Sequence, residues 1–352
     1  MNTETTPSLP QLGWRPYFQQ QLSLEEFDQF HIGRVSEQHR NNNVILTDKG
    51  QLSLVSTPSD EPVAVGDWVL YDDNNRLVRV LERQSLFQRK AAGTRSQAQL
   101  IAANVDRVFI VSSLNEDFNL NRIERYLAIA KEAEVEPIIV LTKADLCDDI
   151  DTPVEQVQKL NPLIIVHALN SLNPEDLTQL EPYCRVGKTL ALLGSSGVGK
   201  STLINGLMGI DVQQTAEIRE SDGKGRHTTT ARSLKWLPAG GIFIDTPGMR
   251  ELQLVDCEQG VNETFSEIVT LARKCRFNDC SHNKEPGCAV QKAILDGNLE
   301  LRRLQSFQKL LREQELNSDS VAERRSKDKT LGKMIHRVQA ESRHMKHREL
   351  DV

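Results

Sequence analysis

No apolar run in this sequence approaches the roughly 20 residues that a membrane span needs; stretches such as Pro137 to Leu141 and Leu163 to Val166 stop after a few positions. A transmembrane protein is excluded. The first ten residues carry neither a basic start nor an apolar stretch, so nothing directs the chain to secretion and a cytoplasmic location is expected. Cysteine is scarce, six in 352 residues, which does not suggest a disulfide framework in a cytoplasmic chain of this size. Three of the six nevertheless crowd with a histidine between Cys275 and Cys288, and that spacing suggests metal. No internal repeat is found.

What is present is ordinary for a soluble globular chain, 38% hydrophobic and 26% charged residues. At roughly 150 residues per domain the length predicts two to three domains. The net charge of −6 is unevenly placed. From Arg324 to Val352 nine Lys or Arg stand against four acidic residues, a net +5, so everything before carries −11. Only this tail has the electrostatic footprint of a nucleic-acid contact, the alternative being a solvated charged helix.

The pattern divides the chain. Residues 1–30 form an N-terminal extension with helical character from Trp14 to Phe30. Residues 31–88 hold short strand-like runs (Val44 to Thr47, Gln51 to Val55, Trp68 to Tyr71, Arg76 to Leu81) separated by Asn, Asp and Gly turns. Four or five short strands in so little chain predict a small all-β unit, an OB-like or SH3-like barrel. A polar linker is expected over 89–97. Apolar strands alternating with helical segments then predict a parallel α/β domain over 98–257, with strands at Val105 to Ser112, Pro137 to Leu141, Leu163 to Val166, Thr189 to Leu193 and Gly241 to Ile244. Residues 258–320 read as helical around the Cys/His cluster, with Leu301, Leu304, Phe307 and Leu311 at helical spacing, and 321–352 as the basic tail.

Chemistry concentrates in four segments. Gly194-Ser195-Ser196-Gly197-Val198-Gly199-Lys200-Ser201, followed by Thr202, satisfies G-x-x-x-x-G-K-[ST] between an apolar strand and a helix. In such a loop the backbone N–H groups and the positive helix end receive phosphate, Lys200 reaches the β and γ oxygens, and the Ser201 hydroxyl binds Mg²⁺. About 45 residues on, Asp245-Thr246-Pro247-Gly248 ends another apolar strand. There a carboxylate can hold the Mg²⁺ shell and the Gly248 N–H can meet a γ-phosphate. Thr142-Lys143-Ala144-Asp145 also ends an apolar strand. The Asp145 carboxylate can accept from guanine N1–H and N2–H, a pair that adenine does not offer, and the Lys143 stem can lie over the ring, so GTP is favoured over ATP. His167-Ala168-Leu169, at the end of the next strand, falls where a backbone N–H could meet guanine O6. The fourth segment, Cys275-x₄-Cys280-x-His282-x₅-Cys288, offers three thiolates and an imidazole, a set suited to one tetrahedral, structural Zn²⁺.

The motif order is unusual. Small GTPases ordinarily place base recognition after the phosphate loop, whereas Asp145 precedes Gly194 by about 50 residues. After Gly248 only Asn283-Lys284-Glu285-Pro286 is found, which lacks the aspartate. The order is that of a circular permutation. With T-K-A-D, G-S-S-G-V-G-K-S-T, G-R-H-T-T-T, D-T-P-G and C-x₄-C-x-H-x₅-C in this sequence, the chain resembles the circularly permuted small-subunit ribosome biogenesis GTPases called RsgA (YjeQ or YloQ). The resemblance covers nearly the whole chain and implies an N-terminal OB fold, a central permuted GTPase domain and a C-terminal zinc domain. It also implies binding to the 30S subunit and its 16S rRNA, a role late in subunit maturation, and GTP hydrolysis stimulated by the subunit. A monomer with no membrane partner is expected.

Classical GTPases often place a Gln after D-x-x-G to orient the attacking water; here Met249 stands there. His227, within Gly225-Arg226-His227-Thr228-Thr229-Thr230 in the place of the first switch, matches the family's proposed catalytic histidine, and Thr229 is then the expected switch ligand of Mg²⁺. The catalytic set expected is His227, Lys200 and Thr229. An RNA-binding placement factor that uses GTP only as a conformational clamp is the alternative from another class. An ATP-driven transporter-type protein is disfavoured by Asp145 and by the lack of an L-S-G-G-Q segment.

Overall fold

The computed structural model describes residues 6–39, 42–55, 57, 60–90, 98–209, 232–245, 249 and 257–318. The helical lead-in is two short helices, Pro16–Gln19 and Leu24–Gln29. The break has a local cause: Ser23 accepts from the Glu26 amide while the Glu26 carboxylate accepts from the Ser23 amide, a capping box that starts a second helix.

Strands β1 (His31–Gln38), β2 (Asn43–Thr47), β3 (Gly50–Leu54), β4 (Trp68–Tyr71) and β5 (Leu77–Val80) follow. β1 pairs antiparallel with β2 and β4, β2 with β3, and β4 with β5. A bridge between Val55 and Arg76 joins the end of β3 to the start of β5, so the hydrogen-bonded path runs full circle. Val35, Ile45, Leu54, Val69 and Tyr71 fill it.

β6 (Leu86–Lys90) and β7 (Ala98–Ala103) form an antiparallel pair. Arg89 and Lys90, expected to open a linker, therefore lie within a strand, because the ladder to Gln99 and Ala98 overrides their polar character. Residues 91–97 lie outside the described residues.

β8 (Arg107–Ser113), β9 (Glu136–Thr142), β10 (Ile165–Ala168), β11 (Thr189–Leu193), β12 (Arg232–Trp236) and β13 (Ile242–Asp245) stand in the spatial order β10-β9-β8-β11-β13-β12. The first five in that order are parallel, and β12 runs antiparallel to β13. Alternation along β8 puts Val108 and Ile110 in one core and Phe109 and Val111 in another, so both faces are covered, as parallel sheets require. Helix Leu120–Glu132 contributes Ile123 and Leu127 to one face; helix Lys200–Leu207 contributes Leu203 to the other. The fold is mixed α/β. β12 also pairs with β1 (Glu37 with Ser233, Gln38 with Arg232), making one sheet of eleven strands among the described residues.

Helices Glu258–Thr264, Ser266–Ala272, Ala289–Leu295 and Leu301–Ser318 extend the first core through Val261, Phe265, Ile268, Leu304, Phe307 and Leu310. Leu301, expected on the packed face, is 52% exposed at the helix start. At Gly260 the helices cross so closely that a Cβ would come within 2.1 Å of the Ala128 carbonyl oxygen, which only glycine permits.

Two buried cations brace these parts. Arg34 on β1 donates to the carbonyls of Leu12 (2.5 Å), Gly66 (3.2 Å) and Asn104 (3.2 Å) and lies over the Trp68 ring. Burial pulls its guanidinium down to about 10, still charged at neutral pH. Arg303 on the last helix donates to Glu124 (2.8 Å), Glu267 (2.7 Å) and the Thr264 carbonyl (2.7 Å), with Phe265 under its plane. Among the described residues no helix is long and apolar enough to cross a membrane.

Candidate nucleotide site and metal centre

The five parallel strands end at one edge of the sheet, so the loops after β8, β9, β10 and β11 and the end of β13 at Asp245 are neighbours there. In open α/β sheets that edge is where ligands bind. Thr189–Leu193 is wholly buried, which fixes where Gly194 leaves the sheet. A Cβ at Gly194 would lie 2.4 Å from the Val111 carbonyl oxygen, and its φ is +149°. Glycine alone lets the loop turn against β8.

Val198 is buried and pins the loop to the core beside Leu203. Gly199 caps helix Lys200–Leu207, whose N-terminus faces the loop with amides that have no intrahelical partner. Lys200 is buried, and its ammonium donates to the carbonyls of Gly194 (2.7 Å) and Ser195. Ser196, Gly197 and Ser201 are exposed, Ser195 and Thr202 half-buried.

Thr142 joins this loop to the T-K-A-D segment it begins. It ends β9, is buried, and its hydroxyl donates to the Val198 carbonyl at 2.6 Å, with the Ser112 carbonyl at 3.3 Å. Lys143 turns the chain with φ +59°, and the Ala144 amide donates to Leu169 at 3.3 Å. Asp145 emerges exposed in a single tight turn, Ala144–Leu146. The Leu169 amide donates to Leu141 at 2.9 Å, which removes it as a donor to guanine O6, and the His167 ring is engaged by the Tyr183 hydroxyl at 3.0 Å.

Asp245 ends β13, and its Oδ2 lies 2.7 Å from Lys235 Nζ, two positions along on β12. Gly248, His227 and Thr229 lie outside the described residues. Met249 is 3% exposed and packs in the main core. A side chain committed there cannot also orient a water at the phosphate.

Sequence reasoning missed Arg122. Its Nη1 donates to Ser195 Oγ at 2.9 Å, with the Tyr126 hydroxyl 3.5 Å from the same oxygen. Helical spacing puts Arg122 and Tyr126 on one face, but no local signal places that face against a loop 73 residues later.

The Cys/His segment converges. Cys275, Cys280, His282 and Cys288 present ligand atoms that all lie within 4.8 Å of one another. Cys275 and Cys288 sulfurs are 3.9 Å apart, and each is 3.6 Å from His282 Nδ1. Tetrahedral zinc with Zn–S of about 2.3 Å and Zn–N of about 2.0 Å requires edges of about 3.8 and 3.5 Å, so the donors fit. Two local devices set them: His282 sits at φ +60°, and Cys288 caps helix Ala289–Leu295, its sulfur accepting from the Gln291 amide at 3.4 Å.

Burial holds His282 below its ordinary pKa, the neutral form a metal needs. Burial opposes ionisation of Cys275, but the Ala289 and Val290 amides and the neighbouring thiols outweigh it and the net direction is down. Burial pushes Cys280 up to about 11, so its thiolate calls for a cation. Cys147, Cys184 and Cys257 are not in disulfides.

A phosphate loop on β11 and a guanine-type aspartate on β9, hydrogen-bonded through Thr142 and in permuted order along the chain, define a P-loop GTPase of the circularly permuted kind. A family model described as RsgA GTPase matches residues 80–255. A second, described as ABC transporter, matches 177–342, a span that includes the phosphate loop. The small ribosomal subunit biogenesis GTPase RsgA 2 of Vibrio parahaemolyticus is 55% identical over 339 residues, covering 96% of this chain and 95% of that protein. Its counterpart in Vibrio vulnificus is 53% identical, covering 98% and 99%. Among solved structures, YjeQ from Thermotoga maritima superposes with a TM-score of 0.60 at 25% identity, over 81% of this chain and 98% of that one. The chain belongs to the RsgA GTPase family.

Proposed function

We propose that this protein is a cytoplasmic GTPase that binds the small ribosomal subunit, assists its late maturation and is stimulated by it. The observation that carries the reading is the Thr142 to Val198 hydrogen bond, which locks base recognition and phosphate binding into one site at the sheet edge. Relatives named as small ribosomal subunit biogenesis GTPases along almost the whole chain supply the partner. Within the site, Thr142 to Asp145 read guanine, residues 194–202 cradle the phosphates, and Gly248 meets the γ-phosphate. Ser201, Asp245 and Thr229 would hold Mg²⁺, which would supply positive charge to offset that of the phosphates. His227 orients the attacking water, the task that Met249 cannot perform.

The closed strand circle of residues 31–88 acts as an OB-like barrel, 98–257 as the permuted GTPase domain and 258–320 as a zinc domain with Zn²⁺ on Cys275, Cys280, His282 and Cys288. A monomer, it meets 16S rRNA through the barrel and the basic tail 321–352. The test is GTP hydrolysis with and without purified 30S subunits, for wild type and His227→Ala. Stimulation lost in the variant with GTP binding retained supports the reading. Turnover as slow on subunits as off them would favour the clamp reading instead.

A further inference from the structure

Three arginines on or against helix Leu120–Glu132 have carboxylate partners: Arg125 with Glu313 at 2.6 Å, and Arg302 and Arg303 with Glu124 at 3.0 and 2.8 Å. Arg122, on the same helix, has none among the described residues. Its one side-chain hydrogen bond goes to the neutral Ser195 hydroxyl in the second position of the phosphate loop. A guanidinium offers five donors in a rigid fork matched to phosphate oxygens. One donor is used by Ser195, and the others carry charge to the rim of a loop built to hold anions.

The base it stands on is fixed. Glu124, two residues on, is fully buried between Arg302 and Arg303, and Asn119 caps the helix by accepting from the Arg122 amide. A long cation on a rigid helix end, held against a phosphate loop through a hydroxyl, is preorganised for an anion rather than for a structural ion pair.

We propose that Arg122 is a phosphate-contacting residue of the nucleotide site, steadied by Ser195 and donating to the terminal phosphate of GTP. This rests on the GTPase reading above and adds a second cation in cis at Ser195, whose carbonyl accepts from Lys200. It gives the site a further means of preferring GTP to GDP, beside the γ-phosphate contacts assigned to Lys200 and Gly248.

The test is titration of full-length wild type, Arg122→Ala, Arg122→Lys and Ser195→Ala with fluorescent GTP and GDP analogues. Hydrogen bonds between charged groups are strong enough that Arg122→Ala should lose roughly tenfold or more in GTP affinity, with GDP affinity within about twofold. Arg122→Lys should recover part of the preference because it keeps the charge. Ser195→Ala should lose part of the preference for GTP, because it releases the guanidinium that the hydroxyl holds. Equal losses for both nucleotides in Arg122→Ala would show that the arginine only braces the loop and would overturn the proposal, as would affinities matching wild type. Wild type that bound no GTP would overturn the functional reading itself.

Discussion

Replacing Arg303 with methionine removes the cation at the centre of the contact between the last helix and helix Leu120–Glu132. Glu124 is fully buried, and its Oε1 receives both Arg303 and Arg302. The substitution leaves a carboxylate inside the core with one partner instead of two and strips the Thr264 carbonyl of its donor. Breaking a buried pair costs about 3–5 kcal/mol. Arg302 stays on Glu124, and Glu267, 43% exposed, regains water, so the lower end applies, about 3 kcal/mol.

At roughly 2–4 °C per kcal/mol for a domain of this size, the first thermal transition should fall by about 6–12 °C. Methionine keeps much of the packing over Phe265, so the loss reports charge rather than volume. The double variant Glu124→Leu/Arg303→Met removes both buried charges and should recover most of the loss, as apolar replacements of buried pairs do. Circular dichroism melts of the three proteins decide it. A single variant within about 1 kcal/mol of wild type, or a double variant no better than the single, would refute the assignment of Glu124 and Arg303 as a mutually dependent buried pair.

Asp145→Asn should weaken GTP binding by about fivefold to 150-fold, on the scale of roughly 1–3 kcal/mol for an unpaired polar group, without lowering the melting temperature, because Asp145 is exposed and outside every core; unchanged affinity in a fluorescent-nucleotide titration would remove it from the site. Purified protein should carry one zinc per chain, and Cys280→Ser should abolish it while GTP binding persists; elemental analysis without zinc in unchelated wild type counts against the assignment. Glu26 accepts from Arg79 and from the Ser23 amide, which hold its carboxyl at about 2 instead of 4.5. A depressed folded-state value means this contact stabilises the fold above the unfolded value and is lost as pH falls towards about 2. A carboxyl carbon NMR titration of Glu26 with a midpoint near 4.5 would contradict the contact.

Many strands were legible because they are short apolar runs bounded by turn chemistry: Thr189–Leu193 in the parallel sheet and Trp68–Tyr71 in the antiparallel part have the bounds their sequence indicates, whereas the run at Leu163 to Val166 is displaced by two residues to Ile165–Ala168. The G-x-x-x-x-G-K-S loop, the T-K-A-D turn and the cysteine set announce themselves by spacing, since each is built within a short stretch of chain. Pairings between distant segments left no local trace. Nothing in Arg34 distinguishes it from a surface arginine until Leu12, Gly66 and Asn104 surround it. Arg89 and Lys90 read as polar linker because only their partners across the ladder make them strand. Arg122 follows the same logic: its hydrogen-bond partner, Ser195, is in a loop that the chain reaches 73 residues later.

The pairing of β1 with β12 sets a timetable for synthesis. His31–Gln38 emerges early, but Arg232 and Ser233, which cover Gln38 and Glu37, follow about 200 residues later. At roughly 5–20 residues per second, that end of β1 waits about 10–40 s for its partner. An uncovered strand edge is a template for mispairing, and such distant pairings form slowly. The charged and amide side chains of Glu37 and Gln38 at this seam are poor material for aggregation, and they protect the nascent strand until the nucleotide-binding half of the sheet arrives to complete it.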